Sequence, residues 1–274
     1  MKCLKKQFPV LILLVMILVL AVPLAYSQTT PEEEPVKSQW EFRIVPYFWM
    51  SSSSADVTTK GVSSHVSIPF RDILPALEFG GQVHLEAWKD RWGFFLDTTY
   101  LNLSTSTQGI LPQRGPASGD IGLQAWMVEF GGMYRLGTWS LSKEQKTALT
   151  LEGLVGGRYW NILGSLDLSI PLAGVFVDTS GRKEWVDPFL GVQMRLDLGE
   201  KFSFALRGDA GGFDVGSKFT YNVLGLVGYK ISRVVTLWLG YRVLGVDYES
   251  GSGLNKFKYD VTMYGPIMGA EFRF

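Results

Sequence analysis

The segment Val186–Leu198, with the sequence VDPFLGVQMRLDL, alternates between two kinds of side chain at every second position. Val186 and Leu190 belong to an apolar face, whereas Asp187 and Arg195 belong to the opposite, polar face. A strand that crosses a bilayer at a tilt needs about ten residues, with one face toward hydrocarbon and the other toward a lumen. Val186–Leu198 therefore predicts one wall strand of a membrane-spanning β-barrel.

The same two-residue period recurs from Trp40 to the C-terminus. An even number of strands leaves both chain ends on one side of the membrane, as single-chain bacterial barrels require. The sequence therefore predicts an all-β fold, a transmembrane antiparallel up-and-down β-barrel of about ten strands, with eight or twelve as alternatives. The predicted strands are Trp40–Met50, Glu78–Lys89, Trp92–Ser104, Ile121–Leu136, Thr147–Leu163, Trp185–Leu198, Phe202–Phe213, Lys218–Lys230, Val234–Tyr248 and Phe257–Phe274.

The connections between these strands alternate in length. Short turns such as Gly199–Lys201 fit the periplasmic rim of a barrel, although one turn on that side, Gly137–Lys146, is longer than the others. The long connections are expected to face outward from the cell. They are Ser51–Leu77, Thr105–Asp120, Gly164–Glu184 and Ser250–Lys256.

The first long connection, Ser51–Leu77, allows more than one interpretation. Val62–Phe70 could be a strand, but counting it in the wall would give eleven strands and break the even number. We therefore expect either a hairpin extension outside the wall or a loop folded into the barrel mouth. Asp72–Leu77 could form a short helix interrupted by Pro75.

The N-terminus has the three parts of a secretory signal. Three lysines up to Lys6 precede the apolar segment Val10–Val22, and Ala25-Tyr26-Ser27 provides a cleavage site. The sequence predicts a signal peptide over residues 1–27, a flexible periplasmic tether over 28–39 and the barrel over 40–274. A membrane anchor over Phe8–Ala25 is the alternative, which the small residues before position 28 disfavour.

Composition excludes several other classes of protein. Lys+Arg and Asp+Glu both number 26, so no net charge attracts nucleic acid, and we expect no nucleic-acid partner. The single cysteine, Cys3, lies in the predicted leader, which leaves no thiol chemistry for the barrel. No segment after the leader is long and apolar enough for a helical membrane protein. A soluble lipocalin-like barrel would need an apolar interior, whereas here charges share one face of the strands.

The end of the chain carries a resemblance to a known family. Tyr264-Gly265-Pro266 precedes Glu271-Phe272-Arg273-Phe274, and Trp185–Pro188 and Gly240–Leu244 fit the same pattern. These stretches resemble a large family of Gram-negative outer-membrane β-barrel proteins, most of them without assigned function. The resemblance covers about Trp40 to Phe274. It implies a location in the cell outer membrane, contact with outer-membrane lipid and recognition by the barrel-assembly machinery during biogenesis, and it implies no chemistry.

If the period of two holds, the polar faces converge in one lumen. Arginine outnumbers lysine there, and its planar fork can bridge carboxylates on different strands. Balanced signs favour a structural ion-pair network over a charged constriction that selects solutes, and we expect cross-strand pairs between Arg195 or Asp197 and Arg207 or Asp209. The predicted lumen network comprises Glu41, Arg43, Glu86, Asp97, Glu129, Arg135, Glu152, Arg158, Asp187, Arg195, Asp197, Arg207, Asp209, Arg242, Glu271 and Arg273, with Lys230 lower down.

No arrangement of residues in the sequence carries catalytic chemistry. His84 should face the lumen near Glu86, but a hydrolase would also need a nucleophile and an orienting acid, and one histidine with carboxylates is a poor transition-metal site. We expect a hydrogen-bonded structural histidine, no catalytic, cofactor-binding or metal-binding residues, and no cofactor.

The sequence thus predicts a non-enzymatic outer-membrane barrel, either structural or a narrow or gated pore for small solutes. The alternatives are an outer-membrane enzyme, or a surface adhesin or receptor that acts through its extracellular loops. A porin-like role and the oligomeric state are left open by the sequence.

Overall fold

The computed structural model describes residues 39–59, 62–111, 115–142, 146–170, 175–253 and 256–274. The predicted signal peptide, and the predicted tether up to residue 38, lie outside the described residues. The strands within these ranges are β1 Glu41–Trp49, β2 Ser52–Thr59, β3 Val62–Ile68, β4 Leu77–Lys89, β5 Trp92–Leu111, β6 Gly115–Ser142, β7 Thr147–Ile170, β8 Val175–Leu198, β9 Phe202–Gly211, β10 Phe219–Lys230, β11 Val235–Ser250 and β12 Phe257–Arg273.

Ten of these strands close into an antiparallel barrel. β1 is followed around the wall by β4 and then by β5 to β12 in chain order, and β12 pairs back onto β1. This order confirms the predicted up-and-down barrel, and each of the ten predicted strands corresponds to one wall strand. Closure leaves no free sheet edge in the wall, so every wall strand has a partner on both sides.

β2 and β3 lie outside the ring, as the prediction of a hairpin extension requires. β2 pairs with β12 over Phe257 to Tyr264, beyond the part of β12 that β1 covers, and β3 pairs with β2. A short helix, α1 Phe70–Ile73, and a 3-10 helix, Leu74–Ala76, then lead into β4. None of the helices in the described ranges is long and apolar enough to span a membrane.

Two expected loops are wrong, because they are continuations of wall strands. Thr105–Asp120 belongs largely to a long hairpin of β5 and β6, and Gly164–Glu184 to one of β7 and β8. Gly137–Lys146 also differs, because β6 continues to Ser142. These segments contain Gly, Pro and Ser of the kind that indicates a loop, and the prediction gives that composition more weight than the alternation of residues 165–170 (SLDLSI) and 138–142 (TWSLS). Composition typical of a loop therefore does not exclude a strand in a long barrel hairpin.

The two faces of the wall strands differ as the period of two predicts. On β9, Ser203 is 1% exposed and faces the interior, whereas its neighbour Phe204 is 40% exposed and faces outward. The outward positions form a continuous apolar surface, which we call the apolar belt. It includes Phe42, Ile44, Phe48, Phe94, Leu96, Phe130, Val155, Leu190, Phe204, Val227, Leu237, Leu239 and Met268.

Candidate functional site

The interior of the barrel is centred on Glu129 of β6, a carboxylate with no exposure to solvent. Arg158 Nε donates to its Oε1 at 3.0 Å, Arg242 Nη2 to the same oxygen at 2.6 Å, and Arg207 Nη2 to Oε2 at 2.7 Å. These guanidinium groups come from β7, β11 and β9, so the bonds reach across the lumen as well as along the wall. Together with Asp209, these residues form what we call the central cluster.

Asp209 is the second acid of the central cluster and shares two of its arginines. Arg158 Nη2 lies 2.7 Å from Asp209 Oδ1, and Arg207 Nε lies 3.1 Å from Oδ2. Asn222 Nδ2 also donates to Oδ2 at 2.9 Å, while its own Oδ1 accepts from Arg242 Nε at 2.9 Å. Arg158 Nη1 donates to Thr220 Oγ1 at 2.9 Å, so each of these buried ions has more than one polar partner, as burial of ions demands.

Aromatic rings cover the guanidinium planes of the central cluster. The Cζ of Arg158 lies 4.9 Å from the centroid of Phe189, and that of Arg207 lies 5.3 Å from Phe95. Arg242 is placed in the same way, 4.9 Å from the Trp49 ring. Ring faces attract cations at these distances, so each guanidinium has a cation–π contact on its face in addition to the hydrogen bonds at its edges.

His84 joins two acids next to the central cluster. Its Nδ1 lies 3.0 Å from Asp97 Oδ2, and its Nε2 lies 3.0 Å from Glu86 Oε1. Both ring nitrogens therefore face carboxylate oxygens, an arrangement that needs a proton on each nitrogen and so a charged imidazolium. Glu86 also binds Arg43 Nη1 at 3.1 Å, and Asp97 accepts from Tyr47 Oη at 2.8 Å. With His84 counted as a cation, acids and bases of the predicted network are equal in number.

A third group of ion pairs lies at the end of the barrel that carries the short turns and the end of β12. Glu271 is bound by Arg195 at 3.3 Å and by Arg273 at 2.9 Å, and Arg273 also approaches Glu41 at 3.4 Å. Asp197 is paired with Lys230 at 2.7 Å.

Two further ion pairs occur at this end of the barrel. Glu152 is paired with Arg135 at 3.6 Å. In the turns themselves, Lys146 bonds Glu200, and this hydrogen bond and charge hold the pKa of Glu200 below its ordinary value. The pair ties two neighbouring turns together at the rim.

The expected pairs between Arg195 or Asp197 and Arg207 or Asp209 are wrong. The register of β8 and β9 places Arg195 opposite Ala205 and Asp197 opposite Ser203. Arg195 is therefore four residues out of register with Asp209, and Asp197 is four residues out of register with Arg207. Arginine side chains are long enough to span the narrow lumen, so they bind acids on other strands instead. Arg195 binds Glu271 of β12, and Arg207 binds Glu129 of β6 in addition to Asp209 of its own strand.

Asp187 is placed in the interior but is held by neutral groups. Its Oδ2 accepts from the indole N–H groups of Trp160 and Trp185, at 3.0 and 3.1 Å, and from the hydroxyl of Ser217 at 2.8 Å. Arg158 faces Asp187 in the strand register but turns to the central cluster instead. The acid thus fixes two tryptophans of the lumen and the loop before β10.

Beyond the central cluster, the half of the lumen away from the chain end is apolar, which the sequence reasoning missed. Trp49, Trp160, Leu244 and Val246 belong to one buried cluster there. The rings of Trp160 and Trp185 stack at 5.7 Å. A signal was present, because Val243 to Val246 is apolar on both faces of β11 instead of alternating.

A cavity of about 100 Å³ remains between His84 and the central cluster. This space is large enough to hold several water molecules. Its wall includes Tyr47, His84, Arg195, Arg207 and Arg242. Within the described residues, no group of three or more His, Cys, Asp or Glu side chains could hold a metal ion.

Comparisons with known proteins find similar folds at low identity. No family model and no curated protein matches the chain. Among solved structures, Ail, the attachment invasion locus protein of Yersinia pestis, is 13% identical, with 86% of this chain and 98% of that chain covered and a TM-score of 0.32. The translocator domain of the autotransporter NalP from Neisseria meningitidis is 8% identical, with 85% and 88% covered and a TM-score of 0.34. The toluene transporter TodX of P. putida is 10% identical, with 87% and 91% covered and a TM-score of 0.29. At these TM-scores, the matches carry no information on what this chain binds or transports.

Proposed function

We propose that the protein is an integral β-barrel of the Gram-negative outer membrane. The apolar belt supports this, because Phe94, Val155 and Leu190 are each more than half exposed and would be costly to leave in water. In a closed ring of paired strands, the backbone N–H and C=O groups form hydrogen bonds with one another, which they could not form with hydrocarbon. The short turns then lie at the periplasm and the long hairpins outside the cell.

We further propose that the lumen is closed to ions and that the barrel has a structural role without catalysis. The observation that carries this is the central cluster, in which Glu129 has no exposure and is bonded across the lumen by Arg207 of β9 and Arg242 of β11. An ion could pass only by separating such pairs, and breaking a buried pair costs about 3–5 kcal/mol. Both ring nitrogens of His84 are engaged by carboxylates, which supports a structural histidine over a catalytic one.

Uptake of small solutes by proteoliposomes tests the closed lumen. We expect vesicles with the wild-type barrel to swell in small sugars no faster than protein-free vesicles. The variant Glu129→Ala should swell faster, because three guanidinium groups lose their shared anion and repel one another. Equal, rapid swelling of wild-type and variant vesicles would support a solute pore and contradict the proposal.

A role as a surface adhesin or receptor is a second candidate, which the hairpins favour. β5 with β6, and β7 with β8, continue as paired strands well past the ends of their neighbours, so they present ordered edges outside the belt. Replacing residues 105–120 by a four-residue turn should keep the barrel folded and abolish any binding to host or cell surfaces. Unchanged binding would exclude this hairpin as the binding element.

A further inference from the structure

The barrel closes between its first and last strands, and this seam is interrupted at Pro46. β1 and β12 pair at Arg43 and Ile44 and again from Tyr47 to Trp49, but the ladder has no paired positions at Val45 and Pro46. The register is the same on both sides of the gap, so the interruption is a local opening and not a bulge.

Proline chemistry explains the interruption. Phe42 and Phe274 exchange backbone bonds in both directions, at 3.0 and 2.9 Å, so every second pair from there is of the hydrogen-bonded kind. Pro46 opposite Ala270 is one of these pairs. Because proline has no N–H, the ladder bond to the carbonyl of Ala270 cannot form.

An apolar groove of about 680 Å³ lies on the outer surface at this seam. Phe48 of β1, Met268 and Ala270 of β12, Leu239 of β11 and Val227 of β10 contribute to its walls, and none of its lining side chains is charged. These side chains belong to the apolar belt, so the groove opens toward the membrane hydrocarbon.

The wall beneath the groove is thin. Gly228 and Gly269 form part of the floor and have no side chains, and the ring of Trp238 on the inner side lies 2.6 Å from where a Gly228 Cβ would be. Tyr47, Trp238, Met268 and Gly269 line both the groove and the interior cavity. These four residues are thus all that separates the groove from the interior cavity at this point of the wall.

Basic side chains lie at the rim below the groove. Arg233 is in the turn between β10 and β11, four residues after Tyr229, which lines the groove. Lys201 is in the turn before β9, and its carbonyl accepts from the backbone N–H of Lys230 at 2.7 Å. Both side chains are exposed, and neither forms an ion pair with a residue in the described part of the chain. A phosphate at the periplasmic surface would meet these cations.

We propose that the groove is a binding site for one phospholipid of the periplasmic leaflet. One acyl chain lies in the groove at the Pro46 seam, and the phosphate contacts Arg233 at the rim. The inference rests on the proposed membrane location. The groove lies in the half of the barrel nearest the short turns, which favours a lipid of the periplasmic leaflet. Its lining is uncharged, which favours an acyl chain over a headgroup as the part that lies in it.

Photocrosslinking tests the site. The refolded barrel is placed in vesicles of phosphatidylethanolamine and phosphatidylglycerol that contain a trace of phospholipid with a diazirine in one acyl chain. We expect crosslinks to concentrate on peptides that contain Phe48, Leu239 and Met268. Ala270→Trp, which fills the groove, should lower them at least tenfold, whereas Ala210→Trp, at another outward position on β9, should leave them unchanged.

Retention of lipid after detergent exchange, measured by native mass spectrometry, is the second readout. The wild type should keep one phospholipid, and Arg233→Glu, which leaves the groove intact, should weaken retention about fivefold or more. Crosslinks spread evenly around the belt, or equal retention by all variants, would overturn the site and leave the membrane location standing. A barrel that takes no crosslinks anywhere and shows no heat-dependent gel mobility would instead contradict the proposed function.

Discussion

A carboxylate without access to water must recover the hydration that it loses, and Glu129 does so through three guanidinium groups. The buried groups therefore depend on one another, because Arg207 forms ion pairs with both Glu129 and Asp209. Removing one arginine leaves two buried acids with fewer donors. At the scale of residues, the interior is therefore a network in which each member is needed by several others.

Arg207→Ala tests this dependence. We expect the variant to lose about 3 kcal/mol in the free energy of unfolding, because part of the charge of Glu129 and Asp209 becomes uncompensated. Urea unfolding in lipid vesicles measures it. Arg182→Ala is the control, since Arg182 is 57% exposed and its pair with Glu184 is long, at 3.6 Å, and it should cost below about 1 kcal/mol. Equal losses in the two variants would contradict a cooperative interior.

The facing of the interior residues could be predicted from the sequence, but their partners could not. Alternation places Glu129 and Arg158 on the inner face because the period of a strand is fixed at two. Which arginine reaches which acid depends on the stagger between strands and on the width of the lumen, which hydrophobicity does not encode. Arg242 and Glu129 are 113 residues apart in the chain, and only closure of the barrel brings them together.

At the scale of elements, a wall strand such as β8 presents one face to the outside of the barrel and the other to its packed interior. Leu190 is 60% exposed on the outer face, while Phe189 next to it is 1% exposed on the inner face. The same strand begins at Val175, in a segment with Gly181 and several charged residues where the sequence analysis placed a loop. The sequence thus predicts the part of β8 with strong alternation and misses the part whose composition is typical of a loop.

Neighbouring positions of β8 make a matched test of facing. Val192→Arg places a cation in hydrocarbon and should destabilise the barrel by about 2–4 kcal/mol. Gln193→Arg places it at the interior cavity, where Gln193 already donates to Glu152 at 3.2 Å, and should cost less than about 1 kcal/mol. Refolding titrations in vesicles compare the two. Similar losses would show that the facing of this strand is wrong.

Glycines set how closely β6 and β7 approach in the wall. A Cβ on Gly156 would lie 2.2 Å from the carbonyl oxygen of Phe130, so Gly156→Ala must move the backbone and should cost about 1–3 kcal/mol. Gly164, on the same strand, has open space within 4 Å of a Cβ, and Gly164→Ala should change stability by less than about 0.5 kcal/mol. Heat-dependent gel mobility ranks the variants, and an equal shift in both would contradict the packing described.

At the scale of the whole molecule, the barrel has an apolar belt outside, ion pairs in the middle and at one end of the lumen, and aromatic packing at the other end. The central cluster lies between these two ends and bonds strands across the lumen, which is the basis of the proposed closed lumen.

Current across a planar bilayer that contains the purified wild-type barrel tests the closed lumen most directly. We expect no steady conductance above that of the bare bilayer across the range of voltages the bilayer tolerates. Glu129→Ala, in the same preparation, should open measurable and unsteady current. A large, steady and ion-selective conductance of the wild type would contradict the closed lumen and identify the barrel as a pore.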